Sequence, residues 1–298
     1  MTAMRSRPAL ISAFTLGLTL MLGGLFTSGC AVAAAKGELV DIEMRSGVLK
    51  RNYRLYIPSG YQKGKPAPLI VALHGGLGTG KIMEEQAGIS DDADRAGMLV
   101  AYPDGIGRGW NAGTCCGDPM EKQVNDVLFM RNLVEDVKSK YSVDARRIYG
   151  TGFSNGAMLL HRVACETPDL FTAIAPVSGG IMLPECKAKT APAVLLVQGR
   201  ADDRIFWDGG TFSGTYRPSI KEIVASLRAR NQCSAQEVVT RKQGVITCMT
   251  LKGCAAGKDV SWCGLDGVGH QWAGGKTMPV QEWMGILQQA KETLKGPV

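Results

Sequence analysis

Histidine is scarce in this chain: three among 298 residues, at positions 74, 161 and 270. The nine cysteines contain no C-x-x-C pair and no H-x-x-x-H spacing occurs, so zinc finds no recognisable ligand set and no metal or other cofactor is expected. Lysine and arginine are scattered, with no run interleaved with aromatics, which argues against a nucleic-acid partner. There is no internal repeat, no Pro/Ser-rich linker and no low-complexity tail. The formal charge is +7, but without Arg5 and Arg7 only 32 basic residues face 27 acidic ones. Mild attraction to anionic surfaces is all that this implies.

What the first residues do have is an apolar run, Ala9 to Phe26, preceded by Arg5 and Arg7 and followed by small residues. Residues 1–35 therefore read as an export signal. Ser28-Gly29-Cys30 resembles a bacterial lipobox, in which Cys30 would be acylated and attach the protein to a membrane; Thr27 stands where leucine is usual. Cleavage within Ala33-Ala34-Ala35 would instead release a free secreted or periplasmic protein. By either route Cys30 cannot pair. Cys115, Cys116, Cys165, Cys186, Cys233, Cys248, Cys254 and Cys263 remain, an even set that in an exported chain favours disulfides. One pair can be argued: Cys248 and Cys263 should face each other across a hairpin turning near Gly257.

Past the signal, alternating stretches at 38–43 and 53–57 suggest an opening hairpin. Pro68–Leu73 and Met98–Tyr102 are continuous apolar runs suited to buried strands. Helical periodicity covers roughly 82–96, 123–140, 157–163, 220–230 (Ser219 as N-cap) and 280–294. Short apolar strands recur at 173–177 and 194–198. Strands alternating with helices predict an α/β fold, a mainly parallel sheet with helices on both faces, as one domain over residues 36–298. In such sheets reactive groups gather beyond the carboxyl ends of the strands.

At one such end lies Gly152-Phe153-Ser154-Asn155-Gly156, a G-x-S-x-G pentapeptide between the strand-like Arg147–Gly150 and a helix-like run. A sharp strand-to-helix turn lifts a serine hydroxyl out of the sheet, and the pattern points to a serine hydrolase. Ser154 then needs a base, and the base an orienting acid. His74 precedes the serine and His161 sits two turns up the same helix, where it reads as packing. Only His270, in the loop Gly267–Trp272, satisfies the order serine, acid, histidine. The acid should leave the strand 194–198; Asp202 or Asp203 qualifies, with Asp202 preferred. An oxyanion needs two N–H donors, expected from the amides of Asn155 and Gly76. Trp110 and Trp272 are read either as stacking walls for an acyl or aromatic group or as core filling. Gly75 to Lys81 also spells G-x-x-x-x-G-K, but Ile82 stands where a P-loop needs serine or threonine, so nucleotide binding is set aside.

These features together resemble the secreted esterases grouped with poly(3-hydroxybutyrate) depolymerases, feruloyl esterases and acetylxylan esterases. The landmarks are Arg54-Leu55-Tyr56-Ile57-Pro58, Leu73-His74-Gly75-Gly76, Tyr102-Pro103-Asp104-Gly105, Trp110–Gly117, Asp126-Val127, Gly152–Met158, Ala173–Gly179 and Gly269-His270-Gln271-Trp272. The resemblance implies an α/β-hydrolase fold, with Ser154 as nucleophile, Asp202 as acid and His270 as base. It departs from the family at Gln198-Gly199-Arg200-Ala201-Asp202, where H-G-T-x-D is usual. Asn125-Asp126 replaces an aspartate pair, and Ala273 a proline. The expected function is hydrolysis of carboxylic esters through an acyl-enzyme, the substrate a small or oligomeric ester. Acyl transfer on the same machinery, or a non-catalytic surface protein, are the alternatives. The chain ends soon after its last expected helix, which favours soluble esters over crystalline polymer.

Overall fold

A computed structural model describes residues 36–188 and 191–273; the export segment, Cys30 and the helix expected at 280–294 lie outside them. The opening hairpin is present as β1 (Glu38–Ser46) and β2 (Leu49–Ile57), paired antiparallel. Next come β3 (Ala67–Leu73), two short helices, and β4 (Leu99–Pro103). The single helix expected over 82–96 is in fact α1 (Gly80–Ala87) and α2 (Ile89–Ala96). Gly88 separates them at φ 63°, a left-handed conformation that favours glycine, and its amide caps α1 by donating to Glu84.

After the short α3 (Gly117–Glu121), α4 (Asp126–Lys140) starts where the Asn125 side chain accepts from the Leu128 amide. Then follow β5 (Val143–Phe153), α5 (Asn155–Glu166), β6 (Ala173–Val177) and β7 (Ala193–Gly199). A small hairpin, β8 (Gly210–Phe212) with β9 (Thr215–Arg217), precedes α6 (Ile220–Arg230). Ser219 caps α6 as expected, and Glu222 completes a capping box. The described chain closes with β10 (Glu237–Gln243), β11 (Ile246–Leu251) and β12 (Val260–Leu265).

Ten of these strands form one sheet in the order β1-β2-β4-β3-β5-β6-β7-β12-β11-β10. Its centre, β4 to β12, is parallel throughout, while both flanks are antiparallel. Alternation within β3 shows how the layers assemble. Leu69, Val71 and Leu73 pack on one face with α4, α5 and α6, whereas Ile70 and Ala72 face α1 and α2. A strand covered on both sides has no use for polar residues, which is why its sequence is continuously apolar.

Disulfides join Cys115 to Cys116, Cys165 to Cys186, Cys233 to Cys254 and Cys248 to Cys263. The last is the pair argued from the hairpin, and β11 and β12 set the two residues directly opposite.

Candidate active site

β5 passes into α5 through one residue, Ser154, whose backbone sits at φ 52° and ψ −118°. For a residue with a Cβ this is a strained conformation, costing on the order of 1–3 kcal/mol. The flanking glycines are explained by crowding. A methyl on Gly156 would lie 2.5 Å from the carbonyl oxygen of His74 and 2.6 Å from that of Leu73. One on Gly152 would lie 2.8 Å from the Gly156 carbonyl carbon and 3.0 Å from Leu73 Cβ. The turn is pressed against β3, and any side chain at either position would push it off. On its other flank the Ser154 amide donates to Val177 at 2.9 Å, tying the turn to β6.

His270 arrives from the far side of the sheet centre. Because β7 and β12 are parallel neighbours, with Gly199 opposite Leu265, the loops leaving them emerge side by side. The amides of Arg200 and Ala201 donate to the carbonyls of Leu265 and Val268, at 2.9 and 3.0 Å. These bonds bring Asp202 and His270 together although 68 residues separate them. His270 Nδ1 lies 2.9 Å from Asp202 Oδ2 and 3.1 Å from Oδ1, and Nε2 lies 3.0 Å from Ser154 Oγ. A carboxylate only accepts, so Nδ1 carries the ring hydrogen and Nε2 is left to accept from the hydroxyl. The Phe153 ring packs on the imidazole at a centroid distance of 4.9 Å.

Burial works against the charge on Asp202, but the hydrogen bonds from His270, Ile205 and Arg204 outweigh it, and its pKa lies below the ordinary carboxylate value. The Ile205 and Arg204 amides donate at 2.8 and 2.9 Å, and Gln198 Nε2 at 3.0 Å. Asp203 is exposed and takes no part in this cluster. Gln198 went unnoticed as a site residue in the sequence. Its signal was the departure from the usual histidine at this position, now seen as a side-chain amide that holds Asp202 and also donates to the Ile205 carbonyl at 2.8 Å.

The loop after β3 borders the serine: a methyl on Gly75 would come within 3.4 Å of Ser154 Cβ. His74 shapes this loop. Its Nε2 accepts from the Gly105 amide at 2.9 Å, so Nδ1 is the donor, 2.7 Å from the Gly75 carbonyl. Burial lowers its pKa and keeps it neutral. Both nitrogens are thereby committed to the backbone. The Gly75 carbonyl accepts from the Gly78 amide as well, at 3.0 Å, and in a trans peptide this turns the Gly76 N–H the opposite way. Gly76 itself is exposed, with open space where a Cβ would stand. Asn155 opens α5, and its side chain exchanges two hydrogen bonds with the backbone of Trp110, at 2.7 and 3.0 Å.

The two tryptophans need correction as stacking walls. Trp110 is fully buried, over the His74 ring, with its indole N–H donating to the His74 carbonyl at 2.8 Å. It braces the two loops around the serine and presents no open face. Trp272 is 6% exposed and belongs to the apolar layer that contains Val268 and Ala273. Beneath Trp110 lies a buried ion pair, Arg51 to Asp126 at 2.9 Å, and Asp126 also accepts from the Asn111 amide at 2.8 Å. Asp126 is thus a brace for the loop 109–117.

A parallel-centred sheet of this order, with serine at the strained end of β5 and histidine and aspartate on later strand ends, defines an α/β-hydrolase. Its likeness to the acetyl xylan esterase from Aspergillus awamori bears out the fold: TM-score 0.64 at 16% identity, over 84% of this chain and 98% of that one. The chain belongs to the esterase PHB depolymerase family, whose model matches residues 51–227. Feruloyl esterase B of Piromyces equi is 29% identical over 242 residues, which cover 74% of this chain but only 42% of that protein. A probable feruloyl esterase C of Aspergillus terreus is 29% identical over 269 residues, 86% of this chain and 89% of the relative.

Proposed function

We propose that the protein is an exported serine esterase that hydrolyses carboxylic esters through an acyl-enzyme. The observation that carries this reading is the continuous hydrogen-bond chain from Ser154 through His270 to Asp202. Ser154 Oγ attacks the ester carbonyl carbon while its proton passes to His270 Nε2, and Asp202 stabilises the imidazolium. The amides of Asn155 and Gly76 donate to the oxyanion. Collapse of the tetrahedral species expels the alcohol, which takes the proton from Nε2. Water, deprotonated in turn by His270, then attacks the acyl-serine and releases the acid.

The relatives' names point to small acyl or feruloyl esters as substrates. Four disulfides favour an oxidising compartment, reached through the segment 1–35, with Cys30 lipidated or removed. Residues 36–298 act as a single catalytic domain. Purified protein should be incubated with short acyl, feruloyl and hydroxybutyrate-oligomer esters. Turnover of at least one is expected, and Ser154→Ala should lower it by about 10⁴-fold or more while the protein stays folded. Turnover of none by a folded sample would overturn the reading.

A further inference from the structure

Leu77 stands on the loop after β3, one residue beyond the Gly76 amide assigned above to the oxyanion. Its side chain is 77% exposed and belongs to neither apolar layer. Lone exposed leucines are ordinary on a protein surface, but this one is also held in a strained backbone. It is the third residue of the turn closed by the Gly78 amide and the Gly75 carbonyl, at φ 62°, where glycine or asparagine fits without strain. Glycine occupies 75, 76 and 78, yet not the one position whose backbone calls for it. The turn does not explain a leucine here; its side chain must. A second loop clamps the residue in place. The Leu77 amide donates to the Arg108 carbonyl at 2.7 Å, and the Arg108 guanidinium donates back to the Leu77 and Gly78 carbonyls. Both loops reach the serine turn: a methyl on Gly75 would lie 3.4 Å from Ser154 Cβ, and one on Gly109 3.5 Å from Asn155 Oδ1. Strained residues gather where a loop meets its ligand.

We propose that Leu77 is a specificity-determining residue, the apolar wall against which the ester lays an alkyl chain or aromatic ring. The proposal rests on the esterase reading above and names the substrate class that the site prefers. Contact between the leucine and such a group removes apolar surface of both from water, so larger esters bind more tightly. Methyl acetate has no group to lay there. With Trp110 buried, Leu77 supplies apolar surface that the tryptophan does not. The wall touches a part of the substrate that does not change during the reaction. It therefore holds ground state and transition state alike, and its loss raises KM while kcat stays.

Acid release would be followed for wild type, Leu77→Ala and Leu77→Gly on two ester series that share methyl acetate. One lengthens the acid (methyl butyrate, methyl hexanoate) and the other the alcohol (butyl acetate, phenyl acetate). In at least one series, L77A should raise KM for the largest ester about fivefold or more, with kcat within about twofold and methyl acetate unaffected. A response in the acid series places the wall beside the acyl group, and one in the alcohol series beside the leaving group. L77G relieves the backbone, so its Tm should equal or exceed that of wild type while KM rises as in L77A. A residue that served only the turn would leave KM unmoved in this variant. If all three proteins hydrolyse methyl acetate alike and KM for the larger esters does not move, the wall is overturned and the esterase reading stands. An equal loss on small and large esters overturns the wall as well, since it marks a collapsed loop. Turnover of no ester by folded wild type overturns both.

Discussion

Two adjacent aspartates follow β7, and their environments separate them. Asp202 is buried and takes bonds from a ring nitrogen, two amides and Gln198, whereas Asp203 faces solvent. Asp202→Asn should lower kcat on an aryl ester by about 10⁴-fold, since an amide at this position no longer enforces the tautomer that leaves Nε2 free to accept. Asp203→Asn should leave kcat within about twofold. A larger loss in the second variant than in the first would refute the assignment. Stability should respond to acid in a defined direction. The folded-state pKa of Asp202 lies below the ordinary 3.8, so its contribution is present above that value and fades as pH falls through the folded pKa. The gap in urea midpoint between wild type and D202N should therefore narrow as pH falls from 5 to 2. Chain order and strand ends singled out Ser154, Asp202 and His270, and the structure places the three in one hydrogen-bonded row. Gln198 and the bracing role of Trp110 were not readable, because a hydrogen bond between distant loops leaves no local pattern.

Among the elements, those buried on one or both faces were legible and those without a core face were not. β3, β4, β6 and β7 announced themselves as apolar runs, and α6 by its cap. By contrast β10 is mostly exposed and the β8–β9 hairpin has three residues a side, so neither carries a strong periodic signal. The break at Gly88 was missed because apolar spacing continues across it on both sides. The Cys248–Cys263 bond belongs to this scale, since it locks β11 to β12, the strand from which His270 is carried. It closes a loop of 15 residues, for which the chain-entropy estimate is about 3 kcal/mol. Replacing both cysteines by alanine (C248A/C263A) should lower Tm by roughly 10 °C. An unchanged Tm would show that the strand pairing alone holds this corner.

For the molecule as a whole, four disulfides and an N-terminal apolar segment carry the same implication of export. Intact mass of the mature protein from a membrane and a soluble fraction should show either a diacylated or triacylated Cys30 or a free terminus near Lys36. A mature form that still contains Arg5 and Arg7 would remove the export reading. The parallel centre of the sheet was foreseeable from alternating elements, but its strand order was not: that β12 lies beside β7 rests on long-range pairing. This adjacency has a mechanical consequence. The carboxylate and the imidazole share one mount, fastened from Arg200 to Leu265 and from Ala201 to Val268, while Ser154 is seated separately between β3 and β6. Of the two contacts His270 makes, the one to Asp202 therefore stays within a single mount, and only the one to Ser154 Oγ crosses from one mount to the other.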